Sequence, residues 1–423
     1  MLPKNLFLHF DGTRIEGISP LATLDFVNNK WRWTMHESTF DKVDSQNGRA
    51  GSPSQPSGTL EVGNLKSTFK GEDGNGGVKQ FFDELRTVLR WGQKYFPGGG
   101  VIGFTSYEFA RHLEPRAFQS DKDHSLQLPE MRYTFFRELR RSALPKSEES
   151  TFATATPPPM EDCYLNAIET ILRYISDGDI YQANYVRRFE KALHLSPSEL
   201  FDRLWQQHPM PFSALLEWDD FAIVSNSPER FLKVENQTVR AQPIKGTMRR
   251  GKTLEEDAAI KVLLENSPKN RAENVMITDL MRNDLGRVCE YGSIKVPQLC
   301  EVETFPTLHH LVSVIEGKLR DGIDALDAFG AAFPCGSITG APKIRAMQII
   351  DELESTPRGV SMGALGYLDF QGNADWNVAI RTVLCKEGKA SFHAGGGIVA
   401  GSTATDEWSE MQLKAAAIGR ELA

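Results

Sequence analysis

The five cysteines, Cys163, Cys289, Cys300, Cys335 and Cys385, are odd in number and form no Cys-x-x-Cys pair. Neither a disulfide framework nor a zinc site follows from such spacing, and reduced, mostly buried thiols are expected. No run approaches the ~18 uninterrupted apolar residues of a membrane-spanning helix, and the first ten residues lack a basic stretch followed by a small-residue cleavage site. No membrane partner is expected, and the cytoplasm is the expected location. Basic excess is also missing: 48 Lys and Arg face 56 Asp and Glu, for a net charge of −8. With no Lys/Arg block interleaved with aromatics, a nucleic-acid partner is not expected either. What remains is a chain of 423 residues, 40% hydrophobic and 25% charged. That is enough to bury a sizeable core, in two to three domain-sized units or one large enzyme fold.

Three stretches read as loops or linkers: residues 45–63, residues 71–77, and residues 142–159, which end in Pro157-Pro158-Pro159. The last is the best boundary candidate, dividing an N-terminal region, 1–156, from 157–423. Beyond it, Ile168, Ile171, Leu172 and Ile175 recur at helical spacing and the pattern stops at Gly178, predicting a helix over 161–177. Ser196-Pro197-Ser198-Glu199 supplies an N-cap, a proline at the first helical position and a capping-box glutamate. Strand-like segments at 221–225, 378–384 and 390–393 alternate with helices, which reads as α+β or α/β.

Several groupings carry chemical potential. The stretch 271–284 places carboxylates, beginning with Glu273, along a partly apolar helix, while Glu407 and Glu410 sit three apart on another. Carboxylates from two helices suit Mg²⁺, which keeps several waters and takes one or two protein carboxylates plus substrate oxygens. From spacing alone, a solvated face is the stronger reading, since Glu410 and Lys414 also form an i,i+4 pair. The glycines Gly395-Gly396-Gly397 offer backbone N–H groups to a carboxylate or phosphate, or make a plain turn. The loop 334–343 lacks the Gly-Lys-Ser/Thr ending of a nucleotide-binding loop, so ATP is not expected. Lys245, read as lying in a tight turn, is a candidate nucleophile, and Glu229, after a strand, a candidate acid. His309 and His310 read as satisfied histidines until a partner is found.

Taken together these motifs resemble the chorismate-using enzymes, and within them the large subunit (component I) of aminodeoxychorismate synthase. The resemblance is dense from Asp179 onward. It rests on Asp179-Ile180-Tyr181-Gln182-Ala183-Asn184, Ser227-Pro228-Glu229-Arg230-Phe231, Pro243-Ile244-Lys245-Gly246-Thr247, residues 273–287 and 336–343, Ala379-Ile380-Arg381-Thr382 and the Gly395 segment. Within the superfamily, Lys245 stands where aminodeoxychorismate synthases carry lysine and anthranilate synthases usually carry alanine. The signature 337–342 separates the chain from the water-using isochorismate and salicylate synthases.

The resemblance implies an α+β fold of two packed, mainly antiparallel β-sheets wrapped by helices, with the N-terminal region sharing the core. It implies a Mg²⁺-dependent transfer of ammonia to chorismate, giving 4-amino-4-deoxychorismate for para-aminobenzoate and folate synthesis. Lys245 is then the nucleophile and Glu229 the acid, with His310 in the same site. Thr339, Gly340, Tyr367, Arg381, Gly395, Gly396 and Gly397 bind substrate, and Glu273, Glu410 and Glu407 hold the metal. Ammonia comes from a separate glutamine amidotransferase subunit (component II). The alternatives are anthranilate synthase component I and a non-catalytic regulatory homologue. Three departures stand out: Ser361 replaces a tyrosine at a carboxylate-binding position, Asn270 replaces an acidic residue, and His208-Pro209-Met210-Pro211 differs from the relatives' Asn-Pro-x-Pro.

Overall fold

The computed structural model describes residues 2–27, 30–36, 74–75, 78–120, 128–144, 160–305 and 308–422. The predicted loop at 45–63 lies outside these residues, as do most of 71–77 and 142–159.

Among the described residues every strand pairing is antiparallel. One run of strands passes from Lys30–Met35 to Thr13–Val27, Met131–Ala143, Gly100–Thr105, Ala364–Asp369, Ala374–Asn377, Arg230–Glu235, Thr238–Gln242 and Leu308–Lys318. Leu308–Lys318 also pairs with Ile244–Arg249 and Lys295–Thr304. A second run passes from Pro3–Phe10 to Phe212–Trp218, Ala222–Ser227, Thr382–Lys386, Lys389–Val399 and Gln182–Ala192. The hairpin between Pro3–Phe10 and Thr13–Val27 joins the two runs.

Strand periodicity explains how they pack. In Phe212–Trp218, residues Phe212, Ala214, Leu216 and Trp218 enter one apolar cluster while Leu215 enters another. The first cluster also holds Ile102, Phe104, Leu365 and Tyr367 from the other run, so it fills the space between the two sheets. The alternate residues, Val101, Ala364 and Leu368, face outward under helix Val78–Tyr95 and its neighbours. The second sheet is covered by Asp162–Ser176, Pro197–Gln207 and Ala404–Glu421. This is the two-sheet α+β architecture expected from the sequence. Both strand runs cross the proposed boundary at 156, since Pro3–Phe10 pairs with Phe212–Trp218 and Gly100–Thr105 with Ala364–Asp369.

The helix expected over 161–177 runs from Asp162 to Ser176, and Ser196 and Glu199 form the reciprocal capping box. All five cysteines are free, and only Cys163 is exposed. Among the described residues no helix is long and apolar enough to cross a membrane.

Candidate active site

Strands from both runs and three helices line a cavity of about 740 Å³. Lys245 reaches it from Ile244–Arg249, a strand rather than the tight turn suggested by the sequence. The ladder with Leu308–Lys318 breaks register between Lys245 and Thr247. Gly246 sits in this bulge at φ +78°, a conformation that strains any other residue, and an added Cβ would lie 2.8 Å from Asn270 Cγ. Past the bulge Thr247 stands opposite His310, and its hydroxyl is 2.8 Å from His310 Nδ1. The Lys245 ammonium donates to the Ser337 carbonyl at 3.3 Å.

Glu229 occupies the short link between strands Ala222–Ser227 and Arg230–Glu235. Its backbone is pinned twice: its N–H donates to the Ser227 hydroxyl at 3.2 Å, and its carbonyl accepts the Val378 N–H at 3.0 Å. Burial pushes its carboxyl up to about 7, against the opposing pull of a Ser337 hydrogen bond, the Lys245 charge and the Ile244 N–H. A carboxyl poised there can deliver a proton near neutrality. His310 is held neutral, because burial, aided by the charge of Arg381, pushes it down to about 3.

Arg381 adopts φ +50° at the cavity wall, a rare backbone conformation for a residue with a side chain. Burial alone lowers its guanidinium to about 10, and its hydrogen-bond contact is Met210 Sδ at 3.7 Å. A half-buried cation with no carboxylate partner among the described residues is costly, and an anion entering the cavity relieves that cost.

Helix Pro268–Gly286 carries Glu273, and helix Ala404–Glu421 carries Glu407 and Glu410. All three line the cavity. Glu407 accepts the Ser402 hydroxyl at 2.6 Å and lies 3.7 Å from Lys269, while Glu410 lies 2.7 Å from Lys414. Burial raises Glu273 and Glu407, and the neighbouring carboxylates add to it; Lys414 lowers Glu410. Gly396 makes room for this wall, since a Cβ there would stand 3.1 Å from Glu407 Oε2. Among the described residues no three His, Cys, Asp or Glu side chains are close enough to cage a metal by themselves. The all-oxygen wall fits Mg²⁺ as a partial donor set completed by water and substrate.

The glycines 395–397 form no loop. They continue strand Lys389–Val399, paired with Val186, Tyr185 and Asn184. Val186 donates instead to Glu354 and Asn184 to the Thr339 carbonyl. By antiparallel alternation, Gly396 therefore shares the ladder bonds with Tyr185, and the N–H groups of Gly395 and Gly397 turn away from it. Only those two fit the anion-binding expectation by their N–H groups.

Three of the expected site residues lie away from the cavity. Thr339 is fully buried, its hydroxyl donating to the Cys335 carbonyl at 3.0 Å, and Gly340 pairs with Ala183; neither lines the cavity. Tyr367 points into the core between the sheets, where its hydroxyl accepts from Arg141 at 3.3 Å. Lys269, Lys414, Thr247, Ser337 and Asn184 do line the cavity, although none was singled out as a site residue. Asn184 and Ser337 lay inside recognised motifs, and Lys414 was visible as the i,i+4 partner of Glu410. Lys269 left no signal.

Over residues 139–420 the sequence matches the family described as chorismate binding enzyme, and the chain belongs to that family. Within it, the chain is 34% identical over 409 residues to aminodeoxychorismate synthase component 1 of Bacillus subtilis (strain 168), covering 84% of this chain and 87% of that one. It is 43% identical over 283 residues to the chloroplastic aminodeoxychorismate synthase of Arabidopsis thaliana, covering 66% of this chain but 31% of the plant protein. The structure of anthranilate synthase component I from Streptococcus pneumoniae TIGR4 superposes with a TM-score of 0.71 at 25% identity, covering 99% of this chain and 93% of that one.

Proposed function

We propose that the chain is the large subunit of an aminodeoxychorismate synthase, converting chorismate and ammonia to 4-amino-4-deoxychorismate and water. The observation that carries this reading is the convergence on one cavity of Lys245, Glu229 and Arg381, which has no carboxylate partner among the described residues. Arg381 and the N–H groups of Gly395 and Gly397 orient the carboxylates of the dianionic substrate. Mg²⁺, when bound, would supply positive charge against the ring carboxylate, and Glu273, Glu410 and Glu407 are the residues we assign to hold it.

Lys245 gives its ammonium proton to solvent, and its Nζ then forms a bond to the ring carbon next to the carboxylate-bearing carbon. The ring double bonds shift, and the C–O bond to the ring hydroxyl breaks as Glu229 donates its proton, releasing water. Ammonia then bonds to the vacated carbon, the double bonds shift back, and the Lys245–carbon bond breaks. The enolpyruvyl ether is untouched. Neutral His310, bonded to Thr247, lines the site without adding charge.

Ammonia is mostly ammonium at neutral pH, so we assign its supply to a separate glutamine amidotransferase subunit, and the product to para-aminobenzoate and folate synthesis after pyruvate removal by a distinct lyase. We place the reaction in the cytoplasm, and we propose that residues 1–156 belong to the same catalytic unit as 157–423.

The test is turnover of chorismate by the purified chain with Mg²⁺ and ammonium at mildly alkaline pH, products identified by mass spectrometry with and without the lyase. Aminodeoxychorismate, converted by the lyase to para-aminobenzoate, is expected. Fluorescent anthranilate would assign the chain to anthranilate synthase instead, and no turnover at any ammonia concentration would exclude both.

A further inference from the structure

We propose that Lys343, which does not line the cavity, is a positioning residue for Lys245: with Asp284 it clamps the loop whose Ser337 carbonyl holds the Lys245 ammonium in place. This rests on the functional reading above. The Lys245 ammonium donates to the Ser337 carbonyl at 3.3 Å, so the position of that oxygen sets where Nζ stands. Ser337 lies midway along the loop joining helix Ala325–Ala332 to helix Lys343–Leu353. The carbonyls around it are engaged away from the lysine. That of Cys335 accepts the Thr339 hydroxyl at 3.0 Å, that of Ile338 accepts Arg358 Nη1 at 2.7 Å, and that of Thr339 accepts the Asn184 N–H at 2.8 Å.

Lys343 closes the base of this loop. Its ammonium donates to the carbonyls of Ala332 and Pro334, each at 2.8 Å, and to Asp284 Oδ2 at 2.5 Å. Both side chains are almost wholly out of solvent. As the first residue of helix Lys343–Leu353, Lys343 puts a cation where that helix's dipole opposes one. The ammonium instead folds back to the C-terminal end of helix Ala325–Ala332, where a terminal carbonyl needs a donor and a cation is favoured. Asp284 anchors it to helix Pro268–Gly286, on which the loop is seated closely: a Cβ on Gly336 would stand 2.8 Å from Leu280 Cδ2. The start and the end of the loop and the helix beneath are thus joined through one ammonium group.

The groups assigned to the substrate carboxylates, Arg381 and the N–H groups of Gly395 and Gly397, belong to other segments. Loosening the clamp therefore disturbs the aim of Nζ and spares chorismate binding. Removing Lys343 alone would strand the Asp284 charge in the interior, so the test removes both charges together.

The experiment compares ammonia-dependent turnover of wild type, Lys343→Met/Asp284→Asn and Lys245→Ala, each well below its melting midpoint. The double variant should lower kcat by about 10- to 100-fold, the scale of misplacing a reacting group by up to about 1 Å, with KM for chorismate within about twofold. The chorismate-derived adduct on the Lys245 peptide, followed by quenched mass spectrometry, should form more slowly by the same factor. A wild-type kcat, a loss confined to KM, or adduct formation at the wild-type rate overturns the proposal. Should the double variant not fold, Asp284→Asn alone, which keeps the two carbonyl bonds of Lys343, must lower kcat by about threefold or more at unchanged KM. A wild-type kcat there overturns the proposal equally. Full activity in Lys245→Ala instead sinks the functional reading, whatever the Lys343 and Asp284 variants do.

Discussion

Arg358 and Glu354 meet as a two-pronged ion pair with both contacts at 2.8 Å, almost wholly out of solvent. The same guanidinium donates to the carbonyls of Ile338 and Asn184, each at 2.7 Å, and both of those residues line the cavity. From the N-terminal region, Glu108 accepts the N–H groups of Arg358 at 2.7 Å and Gly359 at 2.9 Å. Three distant parts of the chain are tied behind one cavity wall. Replacing Arg358 by Met leaves Glu354 buried without its cation and two carbonyls without a donor. Urea unfolding should register a loss of ~3–5 kcal/mol. A loss below about 1 kcal/mol, the range of surface pairs, would mean that the pair is not holding this junction.

Glu229 makes stability depend on pH in a direction that can be fixed in advance. Its folded value, about 7, lies above its ordinary 4.5. The unfolded chain therefore releases this proton first, so burial costs nothing below about pH 4.5 and costs progressively more as pH rises to about 7. Glu229→Gln has no proton to lose. Relative to wild type it should gain roughly 3 kcal/mol between pH 4.5 and 8, the shift converted at about 1.4 kcal/mol per pH unit. Denaturant midpoints across that range measure the gain, and parallel curves for the two proteins would refute the assignment.

The helical elements were the most legible part of the sequence, because their signals are local. Ser196 and Glu199 announce a helix start by chemistry alone, and in the fold the Ser196 hydroxyl accepts the Glu199 N–H while the Glu199 carboxylate accepts the Ser196 N–H. Ser196→Ala should cost about 1 kcal/mol in urea unfolding. No measurable loss would mean that helix Pro197–Gln207 is held by packing alone. The glycines at 395–397 misled for the converse reason. Without side chains they show no strand alternation, and only the partners of Val186 and Asn184 reveal which N–H groups are free. The resemblance implied Tyr367 as a substrate-binding residue, and strand parity puts it on the face between the sheets.

Lys245 offers a cleaner separation of chemistry from folding. Its strand is set by the Gly246 bulge and the ladder to Leu308–Lys318, neither of which uses the ammonium. Lys245→Ala should melt within a few degrees of wild type, as a substitution outside the packed core does, yet form no aminodeoxychorismate. Mass spectrometry of wild type quenched during turnover should find a chorismate-derived adduct on the peptide containing Lys245. Its absence together with full activity in Lys245→Ala would remove the covalent route.

Glu410 and Glu273 project from different helices, so the acidic wall exists only in the folded chain, and its affinity for a cation reports on the assembled site. Lys414 keeps Glu410 ionised, and Lys269 lies 3.7 Å from Glu407, so tethered ammonium groups stand beside two of the three carboxylates. An incoming Mg²⁺ meets a wall whose charge is partly offset, and each carboxylate removed leaves a larger share of cation. Glu410→Gln and Glu273→Gln should each weaken Mg²⁺ binding by about tenfold or more, as loss of one of two carboxylate ligands does. Mn²⁺ titration followed by electron paramagnetic resonance reads this directly, with no substrate present. Lys414→Met removes a competing charge and should tighten Mn²⁺ binding, while a distant acidic substitution such as Glu316→Gln should leave it alone. Equal affinity in wild type, Glu410→Gln and Glu273→Gln would take the metal away from this wall.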